Sequence, residues 1–163
     1  MNRILLDTSF IIRLFNGEDP LHEDIVACYE YLRENKFVIL TSSICIAEYA
    51  IKANPVAIVN NDIEIAPFTY TTGKIIKEIY CPHDSGDKRD AVKDDLKIIA
   101  TAIDQKCNFI VTTDGKTFKK YADRAAPGIK TVAITDANRF SKQLFNDGIG
   151  DDTPLLDTST KTE

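Results

Sequence analysis

Short apolar runs alternate with amphipathic helical patterns along the whole 163-residue chain, and this alternation leaves few folds open. Strand-like runs fall at residues 3–7, 37–41, 63–66, 108–113 and 130–135. Helical patterns fall between and after them, at 10–15, 21–35, 43–53, 70–80, 91–106, 115–122 and 136–145. Strands joined by helical crossovers build a sheet of parallel strands whose two faces the helices cover. The expected fold is therefore α/β, a central mainly parallel sheet of four to five strands flanked by helices. With 44% hydrophobic residues, a chain of this length can bury one sizeable core but is short for two. Residues 1–147 read as one domain. Beyond Asp147 the sequence turns glycine-rich and polar, so 148–163 is expected to be a loose tail. Within that tail Leu155-Leu156-Asp157-Thr158-Ser159 repeats Leu5-Leu6-Asp7-Thr8-Ser9, which reads as coincidence because no helix can follow it.

Composition removes several functional classes. No run of uncharged residues approaches a membrane-spanning length, and Met1-Asn2-Arg3 leads directly into a strand, so a cytoplasmic protein without membrane attachment is expected. Cys28, Cys45, Cys81 and Cys107 are widely spread and form no C-x-x-C pair, which disfavours a disulfide framework or zinc ribbon and leaves free thiols. Cys81-Pro82-His83 lacks the further ligands of a closed zinc site. The net charge of −5 disfavours a polyanionic partner, yet residues 74–130 carry 12 of the 20 Lys and Arg against 9 Asp and Glu. A basic half facing nucleic acid is compatible with that distribution, as is an ordinary solvated surface. Segment 81–90, rich in charge with Pro82 and Gly86, reads as an exposed loop.

Four acids occupy informative positions. Asp7 and Asp114 follow the strand runs Ile4-Leu5-Leu6 and Phe109-Ile110-Val111, and in open α/β sheets ligands bind outside the carboxyl ends of strands. At about 100° per residue, Glu48 lies about 40° from Ile44 and about 60° from Ile51, on the apolar side of its helix. On the helix 91–106 the apolar stripe of Val92, Leu96, Ile99 and Ile103 centres about 70° from Asp95, whereas Asp94 falls at about 260° beside Lys97. Asp95 is thus the inward carboxylate, and Asp94 is expected to cap or solvate the start of the helix. Asp87, Asp90 and Asp104 read as surface charge.

Carboxylates turned towards one apolar region must take up protons or meet a counter-charge. Oxygen-only ligation without His or Cys selects hard cations, Mg²⁺ or Mn²⁺, and such cations support displacement at phosphorus by offsetting charge on the attacking and departing oxygens. Thr8, Ser9 and Thr112, with Thr113, stand beside the strand-end acids and could hold a water or phosphate oxygen, or simply cap the strand ends. No serine-hydrolase elbow, cysteine–histidine pair, Walker loop or dinucleotide fingerprint competes.

These blocks resemble those of PIN-domain ribonucleases, most closely the toxins of VapBC-type toxin–antitoxin pairs. The family's strand-end D-[TS]-[SN] is matched by Asp7-Thr8-Ser9, its helical Glu by Ile46-Ala47-Glu48-Tyr49, its D-x-x-I-A-A-x-A helix by Asp95 to Ala102 with Ile99 in place of one Ala, and its T-x-[DN] block by Thr112-Thr113-Asp114 with Phe118 following. The resemblance spans residues 3 to about 145. It implies an endoribonuclease with Asp7, Glu48, Asp95 and Asp114 as catalytic and metal-binding residues around Mg²⁺ or Mn²⁺, an RNA substrate, a homodimer and a cognate antitoxin. Two other readings stay open: a non-catalytic scaffold or RNA-binding module on the same fold, and a phosphatase using Asp7 as nucleophile, although Ser9 occupies the position where such enzymes carry a second Asp.

Overall fold

The computed structural model describes residues 1–148. Five strands, β1 (Arg3–Leu6), β2 (Val38–Ser42), β3 (Glu64–Ala66), β4 (Phe109–Thr112) and β5 (Lys130–Ala133), form one sheet in the order β3-β2-β1-β4-β5. Every pairing is parallel, with Leu5 opposite both Leu40 and Ile110. The expected fold class is thus the observed one. Seven α-helices pack around the sheet: α1 (Thr8–Leu14), α2 (His22–Glu34), α3 (Ser43–Ala50), α4 (Val56–Val59), α5 (Tyr70–Ile79), α6 (Arg89–Asp104) and α7 (Phe118–Ala125). Because side chains alternate across a strand, Ile4 and Leu6 join Phe109 and Val111 on the face covered by α1 and α2, while Leu5, Leu40 and Ile110 meet α6 and α7 on the other. Both faces are buried along β1 and β4, which is why these strands read as continuous apolar runs, whereas Glu64 and Ile65 of the edge strand β3 are exposed.

Local chemistry sets several boundaries. The Ser42 hydroxyl caps α3 by accepting from the Ile44 amide at 3.2 Å. Thr69 and Thr72 form a capping box at the start of α5, and the Thr72 hydroxyl also donates to Asp104 at 2.6 Å. Asp104 therefore fastens α5 to α6 and is not free surface charge. The helix α4 has no counterpart in the expected elements.

The helix expected at 136–145 does not form. Thr135 and Asn138 instead pair as an isolated bridge, and the Asn138 amide nitrogen donates to the Ala133 carbonyl at 2.5 Å, so side chains take over backbone partners that a helix would need. A 3-10 helix, Lys142–Gly148, follows and seats Phe145 against Phe109, Tyr31 and Phe37 at ring-centroid distances of 5.4, 5.6 and 6.2 Å. The helix α7 starts at Phe118, not at 115, because Asp114 turns the preceding residues with its own side chain. Segment 81–90 is not a free loop: Asp84 and Asp87 bind Lys120, and Arg124 forks onto Asp84. All four cysteines are free thiols, three of them buried. The expected tail, apart from Gly148, and the repeat at Leu155–Ser159 lie outside the described residues.

Candidate active site

The strand order reverses direction between β1 and β4, and the loops leaving these two neighbours diverge to open a crevice at their carboxyl ends. Asp7 and Asp114 stand at its two sides.

Asp7 is the most constrained. Its amide donates to the Val111 carbonyl at 2.9 Å, which ties the end of β1 to β4, and its side chain caps α1 by accepting from the Thr8 amide at 2.7 Å. The other carboxylate oxygen accepts from Ser9 Oγ at 2.6 Å and Thr112 Oγ1 at 2.8 Å. The residue is only 4% exposed. Burial raises its pKa above the ordinary carboxylate value, and these hydrogen bonds only partly counter it. Thr112 Oγ1 in turn accepts from the Asp114 amide at 3.0 Å, and Ser9 Oγ from the Thr113 amide at 3.0 Å. The two hydroxyls therefore lock the strand ends to each other through Asp7.

Asp114 accepts from the amides of Lys116 and Thr117 at 3.0 and 2.8 Å, both through Oδ1, so Oδ2 has no protein donor among the described residues. Glu48, half-buried on α3, accepts from Thr8 Oγ1. Burial raises its pKa; the Thr8 bond opposes that, and the charges of Asp7 and Asp94 add to it. Asp95, from α6, makes no hydrogen bond or ion pair with any described residue, and its pKa is pushed up to about 8, by burial first and then by Asp7, Asp114, Glu48 and Asp94. Asp95 is thus within electrostatic reach of the other three predicted acids.

Helical periodicity set Asp95 inward and Asp94 on the far side with Lys97, but both residues are half-buried and Asp94 acts on Glu48 and Asp95, so the place and role given to Asp94 need correction. The helix begins at Arg89, so Asp94 caps nothing, and it pairs with Lys97 at 2.7 Å. That pair is near enough for Lys97 to act on Glu48, although Lys97 was expected on the far side of α6. Thr8, Ser9 and Thr112 also acquire a definite role: their hydroxyls are committed to Asp7 and Glu48 and position the carboxylates.

Among the described residues no three His, Cys, Asp or Glu side chains stand close enough to form a finished metal-ligand set. The donor chemistry nevertheless suits a hard divalent cation. The oxygens are carboxylate only, no Lys or Arg forms an ion pair with Asp7, Glu48, Asp95 or Asp114 among the described residues, and Asp95 lacks any partner. Arg13 and Lys116, which line a cleft beside Asp114, were not singled out from the sequence. Each stands alone among unpatterned neighbours, so only tertiary contacts reveal them.

Residues 4–124 match the PIN domain family. Among solved structures, VapBC2 from Rickettsia felis, bound to a DNA fragment from their promoter, contains a chain that aligns with a TM-score of 0.57 at 20% identity over 81% of this chain and 98% of that one. The Mycobacterium tuberculosis toxin VapC20, which cleaves the sarcin–ricin loop, aligns with a TM-score of 0.52 at 19% identity over 72% and 93%. At such identities the likeness speaks for the fold. Among curated proteins none matches this sequence.

Proposed function

The chain belongs to the PIN domain family, and on that premise we propose that it is a metal-dependent endoribonuclease, the toxin of a toxin–antitoxin pair, with residues 1–147 as the nuclease domain. PIN domains are typically metal-dependent nucleases. One observation supports the reading for this chain: Asp95 has no ion-pair partner among the described residues, and burial first, then the charges of Asp7, Asp114 and Glu48, push its pKa up to about 8. A protein that had no use for a cation there would lose little by placing Lys or Arg among them.

Asp7, Glu48, Asp95 and Asp114 are the proposed holders of Mg²⁺ or Mn²⁺. When bound, the cation supplies charge compensation for the phosphodiester as it is hydrolysed. The chain's own residues do the positioning. Ser9 and Thr112 aim Asp7 and partly counter the burial that raises its pKa, since a hydroxyl donor favours the charged form. Thr8 holds Glu48 towards Asp7. Asp95, whose pKa is pushed up to about 8 where no counter-charge faces it, could accept a proton from the attacking water only in its ionised form, which a bound cation would favour. A phosphatase with Asp7 as nucleophile gains no support, because both Asp7 oxygens are engaged, one by the Thr8 amide and the other by the Ser9 and Thr112 hydroxyls.

Incubating the full chain with single-stranded and looped RNA tests this. Cleavage is expected with Mg²⁺ or Mn²⁺, none in EDTA, and Asp7→Asn should lower the rate on the order of 10³-fold with the fold retained. Unchanged cleavage by that variant rejects the site. The toxin role predicts growth arrest on expression, relieved by a co-expressed antitoxin, and a homodimer by light scattering.

A further inference from the structure

A cleft of about 520 Å³ opens beside Asp114, lined by Arg13, Leu21, Lys116, Asp136 and Ala137 among others. Its size suits a small organic group, not a single ion. We propose that it is a nucleotide subsite for the RNA strand, receiving a nucleobase and its phosphate next to the bond that is cut. The proposal rests on the nuclease reading and adds where the strand lies and which residues hold it.

Three features of the walls favour this occupant. On one side, Arg13 is pre-positioned. Its Nε pairs with Asp19 at 3.2 Å, and His22 Nδ1 lies 2.9 Å from the Arg13 carbonyl. Asp19 also accepts from the Leu21 amide at 2.8 Å, so one carboxylate fixes both the cation and the apolar floor beside it. The two terminal guanidinium nitrogens have no protein partner among the described residues, which leaves the planar fork suited to a phosphate. On the opposite side, the Lys116 amide is bound to Asp114 while its ammonium group makes no ion pair among the described residues. Two cations therefore face a cleft that shares Asp114 with the catalytic crevice.

The third wall is apolar and rigid. Asn138 and Thr135 exchange backbone hydrogen bonds at 3.0 Å and hold Ala137 between them. A side-chain β-carbon at Gly115 would meet Thr135 Cγ2 at 3.2 Å, so the turn after Asp114 sits directly against this wall. Of the two acids that line the cleft, Asp114 belongs also to the catalytic crevice, and Asp136 pairs at 3.1 Å with Arg139, which binds Asp24 as well. Exposed Ala137 thus offers apolar surface between the Lys116 ammonium group and the open end of the Arg13 guanidinium, a combination that fits a nucleotide better than a free anion or an apolar ligand.

The test is fluorescence anisotropy of labelled single-stranded hexaribonucleotides on the full chain in EDTA over a range of salt, run beside a cleavage assay with Mn²⁺. Wild type should bind. Lys116→Ala should weaken binding several-fold and flatten the slope of log affinity against log salt by about 0.7, the value for one phosphate contact on a single strand. Ala137→Trp, which fills the cleft from an exposed position, should weaken binding about tenfold and raise KM with kcat kept, the mark of lost uniform binding. Asp7→Asn should bind as wild type does while failing to cleave. If both cleft variants bind and cleave as wild type does, the subsite is overturned while the nuclease stands. If binding depends on the cleft yet no RNA is ever cut, the subsite holds and the nuclease reading fails. Failure of the wild type to bind RNA at any salt overturns the subsite.

Discussion

Asp84 and Asp95 belong to two acidic clusters of one small protein and ionise in opposite senses. Asp84 meets Arg124 through two bonds of 3.0 Å and Lys120 at 2.9 Å, and these partners hold its carboxyl down at about 2. Beside it Asp87 accepts from Lys120 and from the Tyr121 hydroxyl, each at 2.7 Å, and its pKa is lowered as well. Asp95 meets only burial and other acids and rises to about 8. The first cluster is finished: its counter-charges are built in, and it fastens segment 81–88 to α7. The second is held open, its acids oriented by hydroxyls and backbone amides that carry no net charge. Where the chain supplies the cations itself, the acids serve the fold; where it withholds them, the acids are available to something that arrives from outside.

The largest effect that would break this contrast concerns pH. The folded-state pKa of Asp95 lies above its unfolded value of 3.8, so its contribution to stability is fully present below pH 3.8 and is lost as pH rises through about 8. In EDTA, chemical denaturation should show the protein losing on the order of a few kcal/mol between pH 4 and pH 8. Asp95→Asn should flatten that limb, and an unchanged slope in the variant would assign the titration to another group. For Asp84 the sign reverses: its contribution is present above pH 3.8 and is lost as pH falls towards 2.

Metal addition should sharpen the same contrast. Mn²⁺ at about 100 times its dissociation constant should stabilise the protein by about 2.7 kcal/mol at pH 8, read as a thermal shift. The shift should shrink at pH 5, where protons compete for the same oxygens, and should persist when Asp84 is replaced by Asn. A shift abolished by Asp84→Asn would place the cation in the wrong cluster.

Thr112→Val comes next. It removes a donor from buried Asp7 and an acceptor from the Asp114 amide without changing the side-chain shape much. A loss of about 1–3 kcal/mol in urea unfolding is expected, together with about a 10- to 100-fold fall in metal affinity, as for other groups that orient metal ligands. The smallest effect belongs to Arg124→Ala. It should lower the melting temperature slightly at low salt and hardly at all in molar salt, because the pair it breaks is solvent-exposed.

Much of the scaffold can be read from neighbouring residues. All five strands lie within about two residues of the apolar runs, and the central ones are clearest because a strand buried on both faces leaves a continuous apolar signature. The distinction between Asp94 and Asp95 is equally local, since a turn of helix converts one step in sequence into about 100° of direction. Segment 136–145 resisted the same method: its helical pattern yields to Asn138 and Thr135 binding the strand end above them. Asp87 and Asp104 read as surface charge because their partners, Lys120 and Thr72, lie 33 and 32 residues away.

Sequence by itself determined the parallel α/β architecture and pointed to four acids as candidates, both through periodicity within a few residues. Tertiary structure alone decided that Ser9 and Thr112 clasp Asp7, that Thr8 reaches Glu48 across 40 residues of chain, and that Asp95 is left without a cation while Asp84 receives two. The physical reason is that the ionisation of a carboxylate depends on which charges and donors lie within a few ångströms of it, and chain folding brings those together from distant parts of the sequence.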